Sequence, residues 1–325
     1  MIELDRPGIQ KLVDNNAGSE AVRHAYIAQA EGRVQSPPVA WLDFKAANGE
    51  CHVKTGYITG SEGFAIKIAT GFYDNPERGL ATSNGMLLVF SAQTGEPLAV
   101  LKDDGWLTDL RTGYSGALAT HALARKGYRD VLIVGAGIQC LHQAQSLQRL
   151  AGEIPLTFKI WARHSDRAKA AADRLSAAGL EARPVTDLQS AAGAVDAIIT
   201  ITPSKTPLIF RDWVRAGTHI TAVGADCPGK QELDVDLVAR ADLLICDLAE
   251  QALHEGEFQS AFAAGRVAEK DLVALGHVLS GAHPGRLDDR AITIADLSGL
   301  AALDAATALT IVQAFRQQTT QKVKS

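Results

Sequence analysis

The spacing of apolar positions changes character twice along this chain. From about residue 8 to 31 they recur at helical intervals, with Val13, Val22, Tyr26 and Ile27 on or near one face, so one or two helices ending near Gly32 are expected. The prolines of SPPVAWLDF stop that pattern, because proline cannot continue a helix. Between Val39 and Val100 short β-rich runs take over: AWLDF, CHVKTGY, FAIKIAT, MLLVFSA and PLAVLKD. The separators NGE, TGSEG, YDNPERG and QTGE are turn-forming, which predicts an antiparallel sheet of about five strands. Thr108 to Lys126 returns to helix, with Ala117, Leu118, Ala122 and Leu123 on a small-residue face and Gly127 as its stop.

Beyond residue 130 strands and helices alternate. Strands are expected at 131–134, 157–161, near 182–185, in VDAIITIT, at 219–223, at 242–247 and in AITIADL. Helices are expected over roughly 138–151, over 165–178, from Asp187 and in two stretches after Asp247. A final helix runs from about Gly299 to Phe315 and packs back on the first domain. Alternation of this kind implies an α/β fold with a parallel sheet covered on both faces.

The stretch VLIVGAGIQC, 131–140, places two glycines between a strand and a helix start. Gly135 allows a sharp turn, and Gly137, lacking Cβ, lets a pyrophosphate approach the helix N-terminus, where free N–H groups and the helix dipole favour an anion. Cys140 stands where a third glycine would complete the dinucleotide fingerprint, so the neighbouring motifs must decide the reading.

Composition narrows the function classes. The 325 residues carry a net charge of -5 and no dense Lys/Arg run, which argues against a nucleic-acid partner and for small metabolites. No apolar run approaches the roughly 18–20 residues that span a bilayer, and MIELDRPGIQ lacks the layout of a signal peptide, so no membrane association and a cytoplasmic location are expected. Cys51, Cys140, Cys227 and Cys246 are far apart and fit free thiols. No metal-ligand spacing stands out, and His254, Glu255 and Glu257 read as a solvated helix face.

Four segments taken together, LTDLRT at 107–112, VGAGIQ at 134–139, GADCPGKQEL at 224–233 and DLSGLA at 296–301, resemble the ornithine cyclodeaminase/mu-crystallin family nearly end to end. VKTGY, GFYDNP and VFSAQTG look most like its ectoine-utilisation cyclodeaminase branch. The resemblance implies a Rossmann-type, doubly wound nucleotide domain (121–299) inserted into an α/β substrate and dimerisation domain (1–120 plus 300–325). It also implies bound NAD(H) or NADP(H), a homodimer, and hydride chemistry at the Cα–N bond of a small amino or imino acid.

Carried over by motif, Lys67 meets the substrate carboxylate and nitrogen, Arg111 grips the carboxylate, and Asp226 is the acid–base aspartate. A planar guanidinium can hold a carboxylate by two parallel bonds and so fix the face of Cα that is presented. Thr82, Ser83 and Asn84 fall in the segment brought to the cofactor, together with Gly135, Gly137, Ile138 and Gln139; Thr202 lies on the adenosine or ribose side. Ser298, Gly299 and Leu300 belong to a loop that closes near the substrate.

Two departures from the family pattern bear on function. Where an arginine commonly completes the carboxylate clamp, this chain has Val39, Ala40 and Trp41; Lys54 either supplies the missing charge or is an exposed strand lysine. After the second nucleotide-domain strand, Arg163, His164 and Ser165 replace the usual acid that accepts from the ribose, which favours NADP(H) over NAD(H). The leading reading is a cyclodeaminase or amino-acid-oxidising enzyme. The alternatives are an imine or ketimine reductase, or amino acid dehydrogenase, and a non-enzymatic, crystallin-like cofactor binder.

Overall fold

The computed structural model describes residues 1–324, which divide into two compact units: Met1–Arg111 with the chain from Leu300 onward, and Thr112–Gly299. In the first unit the β-rich runs form strands β1 (Ile2–Asp5), β2 (Val34–Gln35), β3 (Ala40–Phe44), β4 (Gly49–Ile58), β5 (Gly63–Phe72), β6 (Ser83–Ser91) and β7 (Pro97–Lys102). They make one sheet in the order β1-β7-β6-β5-β4-β2, with β3 also on β4. The five expected strands, β3 to β7, pair antiparallel. Two strands were not anticipated: β1, which adds parallel to β7, and the two-residue β2. Both are too short to display a period of their own.

Helices α1 (Arg6–Gln10) and α2 (Asn15–Ala30) start where Asp5 and Asp14 accept hydrogen bonds from the backbone N–H groups of Gly8, and of Asn16 and Ala17. The C-terminal helix, Ala301–Lys324, runs past the expected Phe315, since QQTTQKVK contains no glycine or proline to end it. It lies against α2, β4 and β5. That close approach needs Gly56 in β4, where a Cβ would stand 2.4 Å from the carbonyl oxygen of Ala301. The strand β3 is exposed along its whole length, Trp41, Leu42 and Phe44 included.

Helix α3 (Trp106–Leu123) leads into the second unit. There the strands are β8 (Asp130–Val134), β9 (Thr157–Trp161), β10 (Glu181–Pro184), β11 (Ala197–Thr200), β12 (Lys205–Ile209), β13 (His219–Ala222), β14 (Gln231–Leu233), β15 (Leu243–Cys246), β16 (Leu272–Ala274) and β17 (Thr293–Asp296). Eight form a parallel sheet in the order β10-β9-β8-β11-β13-β17-β15-β16, while β12 and β14 make a separate parallel pair. Strands such as AIIT in β11 are buried at every position, as a sheet covered on both faces requires. The chain winds outward from β8 in both directions, so the strand order reverses between β8 and β11, where ligands of such sheets bind at the carboxyl ends. Helices α4 (Ile138–Ala151), α5 (Ser165–Ala177), α6 (Leu188–Ala192), α7 (Val235–Arg240), α8 (Ala249–His254), α9 (Gln259–Ala263) and α10 (Leu275–Ser280) connect the strands. The β12–β14 pair, β16, α7 and α10 were not anticipated, each being at most six residues long. Among the described residues no helix is long and apolar enough to cross a membrane.

Candidate active site

In β5 the alternate positions Gly63, Ala65 and Lys67 fall on the buried face, which puts a lysine ammonium where apolar residues belong. Burial of an unpaired charge is costly, and a partner meets it: the Nζ of Lys67 lies 2.6 Å from Oδ2 of Asp304, in the first turns of the C-terminal helix. The other oxygen of Asp304 accepts from Nε of Arg111, in α3, at 3.0 Å. All three groups are less than a tenth exposed. Lys54 stands directly opposite Lys67 in the β4–β5 register and therefore on the same face, where it is half-buried. Desolvation above all, with Arg111 and Lys54 nearby, pushes the Lys67 ammonium down to about 8, against the pull of Asp304. Against its burial, which acts the other way, Lys67 and then Arg111 hold the Asp304 carboxyl below its ordinary range. Asp304 escaped the sequence reading: it sits in a plain helical stretch, with only DLSGLA shortly before it as a signal.

Thr82 and Asn84 mark the entry to β6 in the same unit. Asn84 is exposed and its Oδ1 accepts from the N–H of Gly85, while the carbonyl of Thr82 accepts from Phe72 N–H. Leu300, the last expected residue of this unit, is buried.

In the second unit the VGAGIQ loop follows β8. Gly135 has φ +128°, which a residue with a side chain rarely adopts. Gly137 is different: it is the extended N-cap of α4, and a Cβ there would meet nothing within 4 Å. No packing of the fold requires glycine at 137, so its bare backbone leaves open approach to the first amides of α4. Ile138 is 56% exposed beside it and Gln139 is half-buried. Arg163 and Ser165 are exposed at the start of α5, and Ser165 lines an open cleft with Lys169, Arg183 and Ser190.

The loops after β11 and β13 are tied to one buried carboxylate. Glu232, in β14, accepts from Thr202 N–H at 2.6 Å and Thr202 Oγ1 at 2.7 Å with one oxygen. Its other oxygen accepts from Thr200 Oγ1 at 2.7 Å and Gly224 N–H at 2.9 Å. Asp226 follows two residues on, exposed and ion-paired with Lys230. Glu257 corrects an expectation: it is not on a solvated face but buried, accepting from the N–H groups of Glu232 and Leu233, while His254 and Glu255 are exposed. A helical pattern cannot reveal that β14 lies over it. Burial, then the charge of Glu232, raises Glu257 well above the usual carboxylate range. Asp247 holds the loop after β17, accepting from Ser298 Oγ at 3.0 Å and Gly299 N–H at 2.6 Å. Glu232 and Asp247 were not singled out from the sequence, because their partners come from segments remote along the chain. Among the described residues no cluster of His, Cys, Asp or Glu is arranged to hold a metal ion.

The profile of the ornithine cyclodeaminase/mu-crystallin family matches residues 7–319. Three solved structures share the fold over nearly the whole chain. An archaeal alanine dehydrogenase, a dimer with bound NAD, is 32% identical with a TM-score of 0.90, covering 98% of this chain and 97% of that one. The iminosuccinate reductase of Paracoccus denitrificans in complex with NAD+ is 29% identical at TM-score 0.91, with 98% and 97% covered. The Delta(1)-pyrroline-2-carboxylate reductase of Thermococcus litoralis, in complex with NADH and L-proline, is 28% identical at 0.89, with 98% of each chain covered.

Proposed function

Because the chain belongs to the ornithine cyclodeaminase/mu-crystallin family, we propose that it is an NAD(P)-dependent enzyme acting at the Cα–N bond of a small α-amino or α-imino acid. The observation that carries this reading is the group of Lys67 and Arg111, both buried, with half-buried Lys54 beside them around the buried Asp304, richer in cations than in acids on that face. Such a surplus suits one incoming carboxylate. Arg111 and Lys67 bind that carboxylate and so fix the orientation of Cα. Asp226, exposed and able to exchange protons with solvent, gives or takes the proton at the substrate nitrogen.

A nicotinamide dinucleotide, when bound, supplies or accepts the hydride. The open amides at Gly137, Ile138 and Gln139 suit its pyrophosphate, with Gly135 making the turn, and Thr202, Ser298, Thr82 and Asn84 are the further contacts we assign to it. The three matched structures hold NAD, NAD+ or NADH. For this chain we assign a preference for NADP(H), supported by Arg163 and Ser165 where an acid would repel a 2′-phosphate. A charge-assisted bond of about 1.5–3 kcal/mol corresponds to roughly ten- to one-hundred-and-fifty-fold in affinity. Titration of both cofactors should show that ratio, and Arg163→Ala should abolish it; equal affinities in the wild type would rule the preference out.

The deciding assay incubates amino acids with NAD(P)+ and imino acids with NAD(P)H, following reduced cofactor and ammonia together. Ammonia release without net change in cofactor marks redox-neutral cyclodeamination. Stoichiometric cofactor turnover marks a dehydrogenase or reductase, the activity in the names of the three structures. No turnover with either class would overturn the proposal. We assign a homodimer built on the first unit, supported by the fully exposed apolar strand β3; light scattering showing a monomer would refute it.

A further inference from the structure

We propose that Asp304 is a positioning residue of the carboxylate grip, a single carboxylate that holds Lys67 and Arg111 in place together. This rests on the assignment of those two cations to the substrate carboxylate. The geometry is specific: each oxygen of Asp304 serves a different cation, Lys67 from β5 at 2.6 Å and Arg111 from α3 at 3.0 Å. The aspartate arrives from a helix that begins 190 residues after Arg111, and neither cation has that partner within its own element.

Charge explains why one acid matters so much. Lys67 faces Arg111 on α3 and Lys54 on β4, which both disfavour its protonation, and Thr108 on α3, whose hydroxyl lies 3.4 Å away. The acids facing it are Asp304 and, more weakly, Asp103, the residue that accepts from Leu107 N–H at the start of α3. Burial and the two cations already bring Lys67 to about 8, with Asp304 the largest opposing influence. Without Asp304, Lys67 becomes a neutral amine near pH 7 and loses its charge toward a carboxylate. A core that needed only packing would be served as well by apolar residues of similar size. Here three cations share two acids, which leaves one positive charge for the ligand.

The test needs no substrate. Competitive acetylation of the folded protein with acetic anhydride, from neutral to alkaline pH, reads the protonation midpoint of Lys67 from its peptide by mass spectrometry. The wild-type midpoint is expected near about 8. Asp304→Asn keeps the shape and removes the charge, and its midpoint should fall by roughly 1–3 units. An unmoved midpoint in folded Asp304→Asn overturns the proposal. Asp304→Glu retains the charge and guards against a variant that does not fold: its midpoint must stay near the wild-type value, and a fall there also overturns the proposal. Once a substrate is in hand, the alkaline limb of kcat/KM should move with the midpoint, while cofactor affinity is unchanged. Because the labelling is independent of turnover, a protein inactive toward amino and imino acids would refute the proposed activity and leave this measurement to stand or fall alone.

Discussion

Replacing Glu232 by Gln is the most demanding test of how the nucleotide unit is held. Each oxygen of Glu232 accepts from one backbone N–H and one threonine hydroxyl: Thr202 N–H and Oγ1 on one side, Gly224 N–H and Thr200 Oγ1 on the other. The hydroxyls can rotate to accept from an amide NH2, but a backbone N–H cannot. Whichever way the Gln amide is turned, one buried N–H therefore faces a donor. Leaving it unpaired costs about 1–3 kcal/mol, and the remaining bonds lose the charge that roughly doubled their strength. Removal of the Glu232 charge relieves the buried Glu257 beside it, which returns part of the loss. A net destabilisation of about 2–4 kcal/mol corresponds to a fall in Tm of roughly 4–16 °C for a unit of this size. The loops carrying Thr202 and Asp226 should loosen together, so fluorescence titration with reduced cofactor should show weaker binding alongside the thermal shift. A variant melting within a degree of wild type would show that Glu232 is already protonated in the native protein, and the four-acceptor account would be wrong.

Asp226→Asn should retain the wild-type Tm and cofactor affinity, since the carboxylate is exposed, while turnover falls by about 10²–10⁴-fold; a lower Tm with unchanged activity per folded molecule would make Asp226 structural. Gly56→Ala drives a methyl against the Ala301 carbonyl at the start of the C-terminal helix, so urea denaturation should show a loss of about 1–3 kcal/mol, with impaired activity because Asp304 lies one turn further on. His219 is buried between the Thr221 and Thr293 hydroxyls, and desolvation, with Arg286 nearby, lowers it to about 3. The unfolded chain takes up that proton first, so this contribution is present above about pH 6.5 and is lost toward pH 3, by up to about 1.4 kcal/mol per pH unit. Stepped-pH denaturation should show this slope, and a His219→Asn protein with an equally steep slope would remove His219 as its cause.

Much of this protein is legible in the sequence where the governing physics is local. The alternation of strands and helices after residue 130, the turn chemistry between β3 and β7, and the glycine turn after β8 depend on neighbours within a few residues, and the expected elements stand close to their places. Strand alternation sets Lys67 on the face of Ala65, opposite Phe64, Ile66 and Ile68, but leaves open which of the two faces the core covers. Tertiary structure alone decided what answers that buried charge. Lys54 had two equal readings until the β4–β5 register set it opposite Lys67, and Asp304 acquires its meaning only when the C-terminal helix lies on β4 over Gly56. Glu257 has the local pattern of a solvated residue and becomes a buried acceptor because β14 packs above it. For Lys67 and Glu257 a buried ionisable side chain is made tolerable by partners from another element of the chain, and packing, which no local pattern encodes, selects those partners.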